Sequence, residues 1–195
     1  MTTTSSAPDT PAPTAAAPRR YVITGGPSSG KEEVFEALHE RGVPASVGEI
    51  AREVYRRHRE RLGRHLLVGD RTAYSREVLA GFVDEYRAHT GGHYFYNRGI
   101  PDGYGWDRFF GISPYTELEE AARTYRYDAV FVLDPLDDFT SADDLVWAKE
   151  REIPRVHELI VQGYYDTGYR PTFVAADDAQ ARVDFILNNL PTRFA

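Results

Sequence analysis

The sequence predicts a three-layer α/β fold in which a five-stranded, mostly parallel sheet is flanked by helices. Short apolar runs alternate along the chain with longer amphipathic stretches, which is the pattern of parallel strands joined by crossover helices. The first apolar run also leads through a glycine-rich loop into an amphipathic stretch, as a strand–turn–helix unit does. In such folds ligands bind at the carboxyl ends of the strands, so we expect the site in the loops there.

Each element follows from its local pattern. Strands are predicted where apolar residues cluster, at 21–24, 43–47, 94–96, 129–133 and 172–175. Helices are predicted where apolar residues recur at helical spacing, at 31–40, 49–62, 72–89, 153–167 and 179–190. Residues 1–18 are almost entirely Thr, Ser, Ala and Pro, which predicts a disordered tail before a single domain of residues 19–195.

Composition excludes several classes of function. The chain has 195 residues and a net charge of −7, whereas dedicated nucleic-acid binders are usually basic, so no nucleic-acid partner is expected. The chain has no cysteine, which excludes disulfides, thiolate zinc sites and cysteine nucleophiles. Its apolar runs are far shorter than the roughly 18 residues of a membrane-spanning helix. We therefore expect a cytoplasmic protein without a membrane partner.

The loop after the first predicted strand has the Gly-x-x-x-x-Gly-Lys pattern of a Walker A phosphate-binding loop. Glycines let backbone N–H groups form a nest around phosphate oxygens, and Lys31 supplies a compact charge for the terminal phosphates. Only Lys31 and Lys149 are lysines among the 23 basic residues, so a lysine in this loop is notable. The predicted cofactor is ATP or GTP, and its predicted ligands are Gly26, Pro27, Ser28, Ser29, Gly30, Lys31 and Glu32.

The residue that follows the lysine departs from the usual pattern. This position is normally Ser or Thr, whose hydroxyl ligates Mg²⁺, but here it is Glu32. A carboxylate can also ligate Mg²⁺, so Glu32 is the predicted metal ligand, although it adds a negative charge beside the phosphates. The loop thus indicates phosphate binding more strongly than it indicates ordinary Mg²⁺-assisted phosphoryl transfer.

Further segments follow the phosphate loop in a characteristic order. They are Glu49-Ile-Ala-Arg52-Glu-Val and Asn97-Arg98-Gly99-Ile100-Pro101-Asp102. With the loop, they resemble the small P-loop ATPase/kinase family related to nicotinamide riboside kinase domains, over about residues 20–188. The resemblance implies a nucleoside-monophosphate-kinase-like fold, a nucleoside triphosphate ligand and a second pocket for a small acceptor.

The chain departs from that family at three places. Glu32 stands for the family's Ser/Thr, and Asn97 stands for the Asp that opens its Asp-Arg-Gly segment. The net effect moves one negative charge from position 97 to 32, either as a compensated exchange or as two independent changes. Trp147 stands where the family has a lid arginine. The candidate lid cations, which are otherwise solvated helix residues, are Lys149, Arg151 and Arg155.

A kinase also needs a carboxylate within hydrogen-bond reach of the acceptor hydroxyl. Glu49 and Asp102 are the candidates, and Arg52 either pairs with Glu49 or binds an anionic substrate. Aromatic residues in a glycine-rich turn after the third strand are candidates for stacking on the acceptor. The predicted catalytic residues are Lys31, Glu32, Glu49, Arg98 and Asp102. The predicted substrate-binding residues are Glu49, Arg52, Asn97, Arg98, Asp102, Tyr104 and Trp106.

The functional expectation is an ATP-dependent, Mg²⁺-assisted phosphotransferase that acts on a small metabolite or nucleoside-like acceptor. Two alternatives stay open because the metal-ligating positions are altered. One is a nucleotide-binding regulatory module without transfer, and the other is an enzyme that uses the loop to bind a phosphorylated substrate for other chemistry. The oligomeric state is also open, with a homodimer as one expectation.

Overall fold

Among the described residues, the central sheet has four parallel strands in the order β2–β1–β3–β4. They are β1 Arg19–Thr24, β2 His93–Asn97, β3 Ala129–Leu133 and β4 Thr172–Val174. The structure is a computed structural model that describes residues 17–66, 68–136, 150–175 and 177–191. Most of the predicted tail, residues 1–16, and the lid candidate Lys149 lie outside these described residues. The inner strands β1 and β3 are apolar on both faces because helices cover both sides of the sheet.

The predicted strand at 43–47 is wrong, so the sheet has one strand fewer than expected. Only Ala45 forms a bridge with Phe95 of β2. The Ser46 N–H donates to the Phe95 carbonyl at 2.8 Å, and the Phe95 N–H donates to the Pro44 carbonyl at 3.0 Å. Pro44 has no N–H with which to extend the ladder, and Gly48 turns the chain away with a φ of 83°.

Helices form one layer on each face of the sheet, which confirms the predicted α/β class. Helices α1 (Lys31–Glu40) and α7 (Ala179–Asn188) cover the face that carries Ile23 and Phe131. Helices α4 (Asp102–Phe110) and α6 (Ile153–Asp166) lie on the opposite face. Helices α2 (Ile50–Leu62), α3 (Arg71–Ala88) and α5 (Thr116–Thr124) share a further apolar core with α4. None of the described helices is both long enough and apolar enough to cross a membrane.

Helix α4 replaces the glycine-rich turn that was predicted after the third strand, so Tyr104 and Trp106 lie on a helix. Its glycines serve packing. A Cβ on Gly105 would lie 2.6 Å from the Ile160 Cα, so this glycine lets the backbones of α4 and α6 approach closely. Because glycine is a poor helix former, a glycine kept for close packing has the same sequence signature as a turn.

Candidate active site

The phosphate loop connects β1 to α1 and is anchored from behind by Arg182 of α7. Ser28 and Gly30 have φ values of 60° and 68°, which turn the chain sharply before the helix begins at Lys31. The buried Arg182 guanidinium donates to three carbonyl oxygens: Ser29 at 2.6 Å, and Asp134 and Ala175 at 3.0 Å each. These bonds join the loop to the ends of β3 and β4, so the loop has a fixed backbone.

The side chain of Lys31 folds back over its own loop. Its Nζ donates to the carbonyls of Gly25 and Gly26 at 3.2 and 2.9 Å and to the Ser29 hydroxyl at 2.9 Å. Burial, and secondly the charge of Arg98, lower the pKa of Lys31 to about 7 although nearby carboxylates oppose the shift. A bound anion would favour the charged form of Lys31, so the protonation of this lysine depends on whether an anion is bound at the loop.

Arg98 links the phosphate loop to both candidate carboxylates. Its Nε donates to Glu49 Oε1 at 2.6 Å, and its Nη1 donates to the Gly25 carbonyl at 3.0 Å and to Asp102 Oδ1 at 3.4 Å. Its φ of 70° is rare for a residue other than glycine, and such strain is concentrated at functional sites. Burial opposes the charge of Arg98, but the carboxylates more than offset it and raise its pKa.

The two carboxylates differ in how much bonding capacity they have left. Asp102 is 1% exposed and accepts bonds from Thr24 Oγ1 at 2.6 Å, the Gly99 N–H at 2.9 Å and the Tyr164 hydroxyl. Glu49 is 17% exposed at its side chain. Burial by itself raises the pKa of Glu49, but the positive charges of Arg98 and then Lys31 together outweigh burial and lower this pKa to about 2. Glu49 is therefore ionised and accessible, whereas Asp102 is occupied in positioning Arg98.

Glu32 and Asn97, the two positions that depart from the family pattern, line the same cavity. The exposed carboxylate of Glu32 pairs with Arg52 Nη2 at 2.5 Å, and the same nitrogen lies 3.9 Å from Glu49. Asn97 is buried, and its Nδ2 donates to the Gly48 carbonyl at 3.1 Å while its Oδ1 has no hydrogen-bond partner. Across the described ranges, no group of three or more His, Cys, Asp or Glu side chains is arranged to hold a metal ion.

A cavity of about 450 Å³ begins at the phosphate loop and passes Lys31, Glu49 and Arg98. It continues into a chamber between α2, α3, α4 and α5, which we call the aromatic chamber. Its walls include Tyr55, Tyr74, Leu79, Phe82, Trp106 and Phe110. The guanidinium of Arg98 lies 5.8 Å from the Trp106 ring centroid, so it forms the boundary between the polar and apolar parts.

The structure brings together most of the predicted site residues but not all of them. The loop residues from Pro27 to Glu32 line the cavity together with Glu49, Arg52, Asn97, Arg98, Asp102 and Trp106. Gly26 and Tyr104 are not among the lining residues. The Gly26 N–H donates to His157, and the Tyr104 ring centroid lies 6.0 Å from the Arg108 guanidinium. Arg151 and Arg155 are exposed and do not line the cavity.

Several residues at the site were not predicted from the sequence. Arg182 anchors the loop, and His157 Nδ1 of α6 accepts from the Gly26 N–H at 3.2 Å. Burial lowers the pKa of His157. Ser75 and Asp107 line the aromatic chamber. The segments that begin at His157 and Arg182 also fit the family resemblance, but a lone His or Arg on a helix does not indicate a role at the site. Asp107 follows from a helical interpretation of 102–110, which places Gly103, Trp106 and Asp107 on one face.

These features define a P-loop protein with a kinase-like architecture. Residues 20–182 match the family model described as an AAA domain, and the chain belongs to that family. No curated protein matches the chain.

Solved structures that include two kinases share the fold at low sequence identity. The deoxyadenosine kinase of M. mycoides, bound to dCMP and dCDP, is 12% identical with a TM-score of 0.59, covering 87% of this chain and 96% of its own. A NadR protein in complex with NAD and AMP-PNP is 17% identical with a TM-score of 0.59, covering 91% of this chain and 51% of its own. The thymidylate kinase of Candida albicans is 14% identical with a TM-score of 0.57, covering 90% and 92%. This chain thus spans about half the length of the NadR protein, and these likenesses show the fold.

Proposed function

We propose that the protein is a phosphotransferase that moves the terminal phosphoryl group of ATP or GTP to a hydroxyl group of a small acceptor. The observation that carries the proposal is the continuity of one cavity from the phosphate loop, past Glu49 and Arg98, into the aromatic chamber. A donor held at the loop and an acceptor held in the chamber would meet beside Glu49. The AMP-PNP bound in the solved NadR structure with this fold supports the choice of donor.

In this proposal the chain contributes mainly positioning and charge, which is the usual requirement of phosphoryl transfer. Backbone N–H groups of the loop bind the phosphates, and Lys31 exchanges its carbonyl partners for phosphate oxygens. Glu49 accepts a hydrogen bond from the acceptor hydroxyl and orients it. A pKa of about 2 makes Glu49 a weak base, which suits a late proton transfer in a loose transition state. Asp102 positions Arg98.

The substituted positions also fit a divalent cation. In kinases Mg²⁺ takes one or two carboxylate ligands and several oxygens from phosphates and water. Glu32 supplies a carboxylate, and Asn97 supplies a buried carbonyl oxygen that has no hydrogen-bond partner. When bound, Mg²⁺ would neutralise phosphate charge.

We propose that Glu32 and Asn97 together hold the Mg²⁺ ion. Glu32→Thr and Asn97→Asp should then each weaken metal-dependent nucleotide binding, and the double variant should restore this binding. Additive damage without rescue would contradict the exchange.

Phosphorus NMR tests the function directly. The full chain is incubated with ATP, Mg²⁺ and pooled hydroxylated metabolites, and the signals of ADP and a new phosphate ester are followed. Lys31→Met and Glu49→Gln should each reduce transfer at least 100-fold, because each removes a group beside the reacting phosphate. Glu53→Gln, an exposed carboxylate one turn further along α2, is the matched control and should transfer at the wild-type rate.

The experiment also tests the competing function. The Glu32–Arg52 ion pair occupies the substituted Walker A position, which favours a binding module without transfer as the second candidate. That candidate predicts Lys31-dependent ATP binding with unchanged ATP in every acceptor pool. Formation of a phosphate ester by the wild type, lost in Lys31→Met, excludes it.

A further inference from the structure

One carboxylate in the aromatic chamber lies apart from the phosphate chemistry. Asp107 lines the chamber and is 2% exposed. It follows Asp102 by five residues on α4, which corresponds to a rise of about 7.5 Å along the helix axis. The network of Arg98, Glu49 and Asp102 thus lies toward one end of α4 and Asp107 further along it, with the ring of Trp106 lining the cavity alongside.

The bonding of Asp107 is incomplete. Ser75 Oγ of α3 donates to Asp107 Oδ1, while Oδ2 is buried and has no hydrogen-bond partner. None of the described Lys, Arg or His side chains forms an ion pair with Asp107. Burial therefore raises the pKa of Asp107 to about 6. A buried carboxylate oxygen without a partner is costly, and such groups in native structures call for an explanation.

Neighbouring groups do not supply the missing partner. The two tyrosines whose pKa values respond to the charge of Asp107 are Tyr74 and Tyr115. The Tyr74 hydroxyl donates to the Ala51 carbonyl at 3.1 Å. His58, whose ring lies 6.0 Å from the Tyr74 ring, is paired with Glu77 at 2.9 Å. A donor to Oδ2 therefore comes from a molecule in the chamber, either water or a ligand.

We infer that Asp107, oriented by Ser75, is a specificity-determining residue that binds an N–H donor, cationic or amide, on the molecule occupying the aromatic chamber. This rests on the proposed function in taking that molecule to be the acceptor. The acceptor then has three parts: a hydroxyl group beside Glu49, a flat apolar body against Trp106, and a nitrogen-bearing group at Asp107. A flat molecule of the same shape without an N–H would leave the carboxylate without a partner and is rejected.

Binding of small probes tests this without ATP and without knowledge of the acceptor. Ligand-observed NMR titrations of the full chain compare benzamidine, which has a cationic N–H donor, with acetophenone, which has a similar shape but only an acceptor. Benzamidine should bind the wild type at least tenfold more tightly. Asp107→Asn should reduce that ratio below threefold, while Asp84→Asn, the same change at an exposed site on α3, should leave it unchanged. Equal binding of both probes to the wild type, or a ratio that survives Asp107→Asn, overturns the inference.

A measurement on the unmodified chain keeps the test independent of variant folding. Benzamidine stays cationic between pH 7.5 and pH 5, whereas Asp107 becomes protonated as the pH falls through about 6. The benzamidine-to-acetophenone ratio should therefore fall at least threefold over this interval, and a constant ratio contradicts the inference. Discrimination between the probes without phosphate-ester formation would support the Asp107 site and refute only the kinase proposal. Ester formation without discrimination would support the kinase proposal and refute the Asp107 site.

Discussion

Replacement of Arg98 by methionine should destabilise the protein strongly, because it removes the cation that pairs with the buried Asp102 and the largely buried Glu49. The side chains of Arg98, Glu49 and Asp102 are 6%, 17% and 1% exposed. The pKa of Glu49 falls from 4.5 to about 2 on folding, which corresponds to about 3 kcal/mol of stability at neutral pH. Loss of one partner of a buried ion pair typically costs 3–5 kcal/mol, so we expect about 4 kcal/mol for Arg98→Met.

Urea unfolding followed by circular dichroism measures this cost. Arg108→Met is the matched control, because Arg108 and Asp166 form a pair at 2.5 Å with side chains 32% and 34% exposed. A surface pair contributes under about 1 kcal/mol. The double variant Arg98→Met/Glu49→Gln should be less destabilised than the sum of its single variants, since the second change removes one of the uncompensated charges.

The pH dependence gives a second readout with a defined sign. A depressed carboxylate pKa contributes stability that is present above pH 4.5 and is lost as the pH falls through 2. The Glu49 contribution, taken as the difference between wild type and Glu49→Gln, should fall by about 2 kcal/mol between pH 5 and pH 3. This fall should become smaller in the Arg98→Met background, because Arg98 is the cation that lowers the pKa of Glu49 most. If Arg98→Met costs no more than Arg108→Met, the reasoning about the buried network is refuted.

Three further predictions concern the loop and the helix packing. Gly105→Ala should lower the free energy of unfolding by about 1–3 kcal/mol in urea titrations, because its Cβ would meet the α6 backbone. Gly103→Ala is the control and should be nearly neutral, because its Cβ would meet the end of the Leu118 side chain at 3.1 Å. Equal losses of stability in the two variants would contradict the packing account. Arg182→Leu should cost about 3 kcal/mol and weaken ATP binding in calorimetry, because three carbonyls lose their donor, and unchanged values would exclude an anchoring role. ATP binding should take up about 0.9 proton at pH 8 and almost none at pH 6, because Lys31 has a pKa of about 7 in the free protein and becomes fully charged beside phosphate. Calorimetry in buffers of different ionisation enthalpy measures the proton uptake. Uptake that persists in Lys31→Met would show that another group takes up the proton.

The sequence was sufficient for elements whose pattern has a single interpretation. The apolar runs at 21–24 and 129–133 became the inner strands, and the glycine-rich segment before Lys31 became the turn that joins β1 to α1. It was insufficient where one residue type serves two purposes. The glycines of 102–110 indicate a turn in sequence but permit close helix packing in the structure, and Pro44 ended a strand that apolar residues had suggested.

The same limit applied to the site. The residues that line the cavity near the phosphate loop could be predicted, because the loop has a characteristic pattern and the family resemblance extends to Glu49, Arg98 and Asp102. Asp107 could not be found in this way, because its significance depends on burial and on a missing partner, which are properties of the tertiary structure. The choice between Glu49 and Asp102 likewise required their hydrogen bonds, since both are acidic residues after predicted strands.

A crystal structure with a non-hydrolysable ATP analogue is the most direct test of the central claim that the phosphate loop and the aromatic chamber form one donor–acceptor site. The account predicts that the terminal phosphates lie against the backbone N–H groups of Ser28 to Lys31. It also predicts that Lys31 Nζ leaves the Gly25 and Gly26 carbonyls for a phosphate oxygen and that the chamber beside Glu49 stays open. An analogue bound outside the loop, a Lys31 side chain that still bonds its own carbonyls, or a base that fills the chamber would contradict it.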